Sequence, residues 1–146
     1  MNNKIARAAG CFIEFDNKFL ILRLHPDDPQ GDTWGLVGGN IEIGESRKEA
    51  VMREVKEEIN FDIDEQKLRF LGEFPLEYPD MTVDFSVFAI KLDHELSLTL
   101  EEKEHYDFRW VSVDECYHLT NAMQGLYVVL EQIGAVKQGK IPDSIK

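Results

Sequence analysis

The stretch that decides the fold is residues 34–61, WGLVGGNIEIGESRKEAVMREVKEEINF. Its first half is rich in glycine, and its second half is a charged segment that predicts a helix from Ser46 to Ile59. Ser46 and Glu49 have the spacing of a capping box that opens this helix. Asn60 is expected to end it, since asparagine tolerates the left-handed backbone used there.

Three glutamates of the predicted helix, Glu54, Glu57 and Glu58, are three and four residues apart and therefore share one face. Carboxylates so close together repel one another unless a hard divalent cation lies among them. Taken alone, the pattern is equally typical of a solvated acidic face in which Glu49 and Arg53 form an ordinary i,i+4 pair. The glycine-rich segment at a fixed distance before the helix favours a metal site for a phosphate-containing substrate.

Length and composition limit the class of protein. A chain of 146 residues suits one core, so residues 1–146 are interpreted as a single domain. The net charge of −12 disfavours binding to a nucleic acid polymer, but a bound metal and a few arginines still permit a small anionic ligand. Cys11 and Cys116 are too few for a disulfide framework or a zinc site. Because no apolar run approaches membrane-spanning length, no membrane association and a cytoplasmic location are expected.

The remaining chain predicts an α+β protein, a mixed sheet with helices packed on its faces. Strands are expected at Ala6–Phe15, Phe19–Leu24, Trp34–Leu36, Leu68–Phe74, Met81–Leu92 and Phe108–Val113. A short extended piece is expected around Ile41 and Ile43, a helical turn at Ser112–Cys116 and a helix at Asn121–Ile133. Residues 25–33 and 93–107 predict surface loops, and the tail at 137–146 is expected to fray. Gly38 and Gly39 are expected to adopt backbone conformations closed to other residues.

Part of this stretch resembles the signature of the Nudix (MutT-like) hydrolase family. The family pattern is glycine, five residues of any type, glutamate, seven residues of any type, and then Arg-Glu-aliphatic-any-Glu-Glu-any-Gly-aliphatic. This chain follows it with Gly39, Glu45 and the run from Arg53 to Phe61 (REVKEEINF). Asn60 stands where glycine is usual, Phe61 is a mild variant, and Val37 replaces a common proline. A match of this kind arises by chance on the order of once in 100,000 sequences. Trp34 and the late run FRWV at 108–111 extend the likeness outward.

The resemblance implies both a fold and a reaction. The fold is an α/β/α sandwich around a mixed central β-sheet. The reaction is hydrolysis of a nucleoside diphosphate linked to another group, as in a nucleoside triphosphate, dinucleoside polyphosphate or nucleotide sugar. Water attacks phosphorus, and Mg²⁺ or Mn²⁺ neutralises the charge that develops on the phosphates. The implied partner is a small-molecule nucleotide, and a homodimer is possible because relatives are often dimers.

Carried over position by position, the resemblance also implies residue roles. Glu54, Glu57 and Glu58 correspond to the metal ligands, and the Gly38 carbonyl to a backbone ligand. Arg53 and Glu45 correspond to the pair that orients the helix and its carboxylates. Arg53→Ala is therefore expected to loosen the site without removing a ligand.

The general base remains open at this point. It is either a glutamate of the signature or an acidic residue in the loop before the last strand. Glu104 is the candidate there and Glu102 the alternative, and His105 is a further candidate because histidine titrates near neutral pH. A solvated charged loop is the competing interpretation.

Candidate substrate contacts rest on weaker patterns. Arg23 and Arg7 are candidates for phosphate contacts, with ordinary surface arginines as the alternative. Trp34, Tyr78 and Phe85 are candidate platforms for base stacking, although an aromatic residue in an apolar strand is more often part of the core.

Two other functions are compatible with the sequence. The region from Glu104 to Trp110 and the helix containing Asn121 resemble a little the GDP-mannose mannosyl hydrolases, which cleave at the sugar carbon. Those members depart from the full glutamate set that this chain retains. A non-catalytic nucleotide-binding module is the third possibility, since fold does not prove activity, but such a module need not retain all five signature side chains.

Overall fold

The computed structural model describes residues 4–27, 31–100 and 105–143. The strands are β1 Lys4–Phe15, β2 Lys18–Leu24, β3 Trp34–Asn40, β4 Arg69–Tyr78, β5 Met81–Lys91 and β6 His105–Val111. The helices are α1 Arg47–Ile59, α2 Val113–Tyr117, α3 Gln124–Gln132 and α4 Ala135–Gln138, with a short 3-10 helix at Glu65–Lys67.

The strands form one mixed sheet of six strands in the order β4-β5-β1-β3-β2-β6. β1 and β5 are parallel over a register that runs from Lys4↔Met81 to Glu14↔Lys91. The other strand pairs of the described chain are antiparallel. Helix α1 covers one face of the sheet and the C-terminal helices cover the other, so the predicted α/β/α sandwich with a mixed sheet is confirmed.

Side chains of β1 alternate between two apolar cores, which explains why its sequence is nearly all apolar. Phe12 packs into the core beneath α3, whereas Cys11 and Ile13 pack into the core beneath α1. Cys11 and Cys116 are both buried free thiols. No helix within the described residues is long and apolar enough to cross a membrane.

Local sequence signals fix both ends of α1. The Ser46 hydroxyl accepts from the Glu49 backbone N–H at 3.1 Å, and the Glu49 carboxylate accepts from the Ser46 N–H at 2.9 Å, which is the predicted capping box. Asn60 ends the helix at φ 56° and ψ 39°, in the predicted left-handed conformation. Between the caps, the buried side chains of Ala50, Val51, Val55 and Ile59 hold the helix against the sheet.

Two predictions for the glycine-rich segment are wrong. β3 continues through both glycines to Asn40, and Gly38 and Gly39 pair with β1 in ordinary strand register rather than in an unusual backbone conformation. Space is the reason for these glycines, because a Cβ at Gly38 would lie 2.1 Å from the carbonyl oxygen of Ala9. Residues 41–43 form no strand, and Ile43 is fully exposed.

Several boundaries also differ from the sequence prediction, among them the start of α3, which is Gln124 rather than Asn121. β4 extends to Tyr78, beyond the predicted end at Phe74. Residues 105–107, assigned to an exposed loop, begin β6, where His105 is buried. The tail does not fray from residue 137, since α4 packs there, Ile141 is buried, and Arg69 donates to the carbonyl of Pro142 at 3.0 Å.

The left-handed end of α1 gives a test of stability. Asn60→Ala is expected to lower the free energy of unfolding by about 1 kcal/mol, because alanine lacks the local side-chain hydrogen bonding by which asparagine tolerates the left-handed conformation. The free energy of unfolding of Asn60→Gly is expected to equal or exceed that of the parent protein. Urea unfolding measures both, with Lys48→Ala on the exposed face of α1 as control, and an unchanged midpoint for Asn60→Ala contradicts the prediction.

Candidate active site

Arg53 connects α1 to the end of β3 and to the loop between them. Its Nε donates to Glu45 Oε2 at 2.7 Å and its Nη2 to Glu45 Oε1 at 3.0 Å, a two-point contact typical of arginine and a carboxylate. Nη2 also donates to the carbonyl of Asn40 at 3.0 Å. The side-chain hydrogen bonds from Arg53, helped by the backbone N–H of Glu42, lower the pKa of Glu45 to about 2.

Two more glutamates of α1 converge on the same guanidinium. Arg53 Nη1 donates to Glu54 Oε1 at 2.9 Å and to Glu57 Oε2 at 3.2 Å, which holds the two carboxylates close together. Glu54 lies against the backbone of β3, where a Cβ at Gly39 would be 2.5 Å from its carboxyl carbon. Gly39 is therefore needed to seat this carboxylate.

Glu58 points in a different direction from the other two glutamates. Its side chain is buried, and its Oε2 lies 3.8 Å from Nδ1 of His105 at the start of β6. In the part of the chain that the structure describes, no group of three His, Cys, Asp or Glu side chains is placed to hold a metal ion. The three carboxylates thus share a helix face without forming a closed cluster.

The donor set around Arg53 nevertheless fits a hard divalent cation. Glu54 and Glu57 already converge on one point of positive charge, and both supply the oxygen ligands that Mg²⁺ and Mn²⁺ prefer. Glu54 is largely buried and Glu57 is open to solvent, which leaves an approach to the pair. The roles of Glu58 and of the Gly38 carbonyl as further ligands stay predictions.

A cleft of about 510 Å³ begins beside this carboxylate group at Gly38, Gly39 and Asn40. It continues over the opposite face of the sheet, where it is mostly apolar, with walls that include Leu36, Val83, Phe85, Met123 and Leu126. None of the described residues that line it is a lysine or an arginine. Asp80 is an acidic residue of the lining, so the cleft favours an uncharged organic group over an anionic one.

The structure separates the predicted substrate contacts into two groups. Tyr78 and Phe85 line the cleft. The Phe85 ring packs against Gly10, where an added Cβ would lie 2.6 Å from the Cζ atom of Phe85. Trp34 is only 2% exposed, so the expectation that it offers a stacking surface is not supported. The guanidinium carbons of Arg23 and Arg109 lie 5.4 and 5.0 Å from its ring centroid.

The two candidate arginines do not line the cleft. Arg23 contacts Asp32 at 2.9 Å beside the buried Trp34 ring. Arg7 is exposed on β1, between Ala6 and Ala8, which do line the cleft, so its side chain projects from the other face of the sheet. Of the loop candidates for the general base, Glu104 and Glu102 fall outside the described residues, whereas His105 lines the cleft.

Sequence reasoning missed one wall of the cleft. Met123 and Gly125 line it because the Met123 backbone N–H donates to the Trp34 carbonyl at 2.8 Å and brings the start of α3 over β3. This is a long-range contact, which the helical spacing of residues 121–133 does not reveal.

Comparison with known proteins identifies what these features resemble. A family model described as NUDIX domain matches residues 4–133. Dihydroneopterin triphosphate diphosphatase of Escherichia coli (strain K12) is 31% identical over 126 residues, covering 73% of this chain and 77% of that protein. NAD-capped RNA hydrolase NudC of Haemophilus influenzae (strain PittGG) is 34% identical over 88 residues, covering 60% of this chain and 31% of its own length. The chain thus spans about a third of that relative.

A solved structure has the same fold. The MutT protein from Methanosarcina mazei Go1 aligns with a TM-score of 0.79 over 96% of this chain and 99% of that one, at 22% sequence identity. At this identity the likeness concerns the fold alone.

The contact between Arg53 and Glu45 predicts a dependence of stability on pH. Glu45 has a lower pKa in the folded protein than in the unfolded chain, so the pair stabilises the fold fully above about pH 4.5 and progressively less as pH falls towards 2. Arg53→Ala is expected to flatten this part of the stability profile. Urea unfolding between pH 2 and 5 measures it.

The matched control is Arg47→Ala, which removes another arginine of α1 that forms an exposed pair with Glu73 at 2.9 Å. The control is expected to keep the parent's acid slope. Equal slopes for Arg53→Ala and the parent would show that Arg53 does not set the Glu45 pKa.

Proposed function

The chain belongs to the Nudix family, and on that basis we propose that it is a divalent-metal-dependent pyrophosphohydrolase. Its proposed substrate is a nucleoside diphosphate linked to another group, with water attacking phosphorus. The observation that carries the proposal is the convergence of Glu54 and Glu57 on Arg53 at the glycine end of an apolar cleft. An acidic surface without a function would not need a glycine strand that seats one of these carboxylates.

Each residue of this group has a distinct task in the proposal. Bound Mg²⁺ or Mn²⁺ would supply positive charge to the phosphates and to the transition state. Glu54 and Glu57 would hold the ion. Arg53, anchored by Glu45, fixes the direction of α1 relative to β3 and keeps a positive charge beside the phosphates.

The cleft determines how a substrate would lie. An anionic diphosphate would be expelled from its uncharged apolar part, whereas a ring or other neutral group would be held there by burial of apolar surface. The diphosphate would then lie at Gly38, Gly39 and Asn40, next to the carboxylates. Tyr78 and Phe85 would contact the organic group.

The relatives named above widen the range of substrates to test. One acts on dihydroneopterin triphosphate and another on NAD-capped RNA. The charge of −12 disfavours extended contacts with an RNA backbone, but a single capped end needs few contacts. A capped RNA oligonucleotide therefore belongs in the panel beside the small nucleotides.

The proposal predicts metal-dependent turnover of at least one member of that panel. The panel contains nucleoside triphosphates, dihydroneopterin triphosphate, dinucleoside polyphosphates, nucleotide sugars and capped RNA, each with Mg²⁺, Mn²⁺ or EDTA. Glu57→Gln is expected to lower kcat about 100-fold or more through loss of a metal ligand. Glu65→Gln, an exposed glutamate on the 3-10 helix, is the matched control and should keep the parent rate.

Isotope labelling distinguishes the remaining possibilities. In ¹⁸O-labelled water, attack at phosphorus places the label on a phosphate product. A label on a released sugar would instead indicate cleavage at carbon, as in the mannosyl hydrolases. Nucleotide binding without turnover, by protein that binds Mn²⁺, would indicate a binding module and contradict the proposal.

A further inference from the structure

The roles proposed above leave one buried ionisable pair without a function. Glu58 lies in the last turn of α1 with 2% of its surface exposed, and His105 lies at the start of β6 with 6% exposed. Nδ1 of His105 is 3.8 Å from Oε2 of Glu58, which is within ion-pair range. His105 also lines the cleft, so one member of the pair lies between the cleft and the buried Glu58 carboxylate.

Glu58 is in an unfavourable position for an isolated carboxylate. Burial of a charge is costly unless a partner compensates it, and the last turn of a helix carries the negative end of the helix dipole. The imidazole of His105 is the group that β6 brings to Glu58.

A β-bulge gives His105 its inward direction. In the ladder between β2 and β6, Asp107 pairs with Arg23, but the next pair joins His105 to Leu24 and passes over Tyr106. Such a bulge re-aims the side chains on either side of it. Tyr106 is left outside, where its hydroxyl donates to Asp32, and His105 faces Glu58.

We propose that His105 is a positioning residue that orients the Glu58 carboxylate for the metal site. Partners of this kind, one shell removed from the ion, fix the orientation of a ligand and raise its affinity for the metal. His105 acts through Glu58 and touches neither the ion nor the attacking water. This inference rests on the proposed function, because it assumes that Glu58 serves a bound cation.

Mn²⁺ titration in the absence of nucleotide, followed by electron paramagnetic resonance of the free ion, tests the proposal. His105→Leu is expected to weaken Mn²⁺ binding about 10- to 100-fold. His105→Asn should keep near-parental Mn²⁺ affinity, since the asparagine amide nitrogen is the counterpart of Nδ1. His105→Gln places its amide one carbon further from the backbone and should bind Mn²⁺ as weakly as His105→Leu. His94→Leu, on an exposed histidine of the loop after β5, is the matched control.

A double-mutant cycle with Glu58→Gln separates positioning from general packing. If His105 acts through Glu58, His105→Leu should cause little further loss of Mn²⁺ affinity once Glu58 is replaced. Losses that simply add, or equal losses for the Leu and Asn variants, would overturn the proposal. Circular dichroism at the titration temperature verifies that each variant is folded.

Failure of the proposed function gives a different result from failure of this inference. Suppose that the parent protein binds Mn²⁺ and the double-mutant cycle shows coupling between His105 and Glu58, but no substrate is hydrolysed. That result would contradict only the proposed function. If the parent binds no Mn²⁺, the proposal for metal positioning falls as well. In the metal-free protein, Glu58→Gln should shift the ¹⁵N resonance of His105 Nδ1. An unchanged resonance would show that the two side chains are not paired.

Discussion

The candidate site depends on the close approach of α1 to the backbone of β3. Gly39 makes that approach possible, since a side chain there would meet the Glu54 carboxylate, and Gly38 allows β3 to pair with β1, where a side chain would meet the Ala9 carbonyl. Arg53 then fastens the two elements by bonding the Asn40 carbonyl at the end of the strand and Glu45 in the connecting loop. These polar contacts add geometric specificity to the apolar packing of the helix.

Four carboxylates lie close together on α1 and in the loop before it, and two different side chains serve as their partners. Arg53 pairs with Glu45, Glu54 and Glu57 at the partly open side, and the His105 imidazole lies 3.8 Å from Glu58 in the interior. Like charges so close would otherwise destabilise the helix. Of Glu54, Glu57 and Glu58, Glu57 is the most exposed and Glu58 the most buried, so in the proposed metal site an approaching cation would meet Glu57 first.

Features that depend on neighbouring residues could be predicted from the sequence, whereas features that depend on contacts between distant residues could not. The capping box and Asn60 depend on neighbouring residues, and the glutamate spacing depends only on helix geometry, so each followed from pattern. The start of β6 depends on a bulge against β2, and the order of the tail depends on Arg69, which reaches Pro142 from 73 residues away. The glycine strand was recognised for the wrong reason, because sequence shows that a side chain is missing but not what occupies its space.

The two faces of the sheet differ in charge and in apolar surface. The α1 face near Gly39 carries the carboxylates and Arg53, whereas the α3 face offers apolar walls with no lysine or arginine among the described lining residues. Because β1 and β3 pair through glycines where these regions meet, a ligand can contact both without a bulky side chain between them. A diphosphate attached to one neutral group matches this geometry better than a ligand with charges at both ends, since the second charge would have to lose its hydration in an apolar cleft.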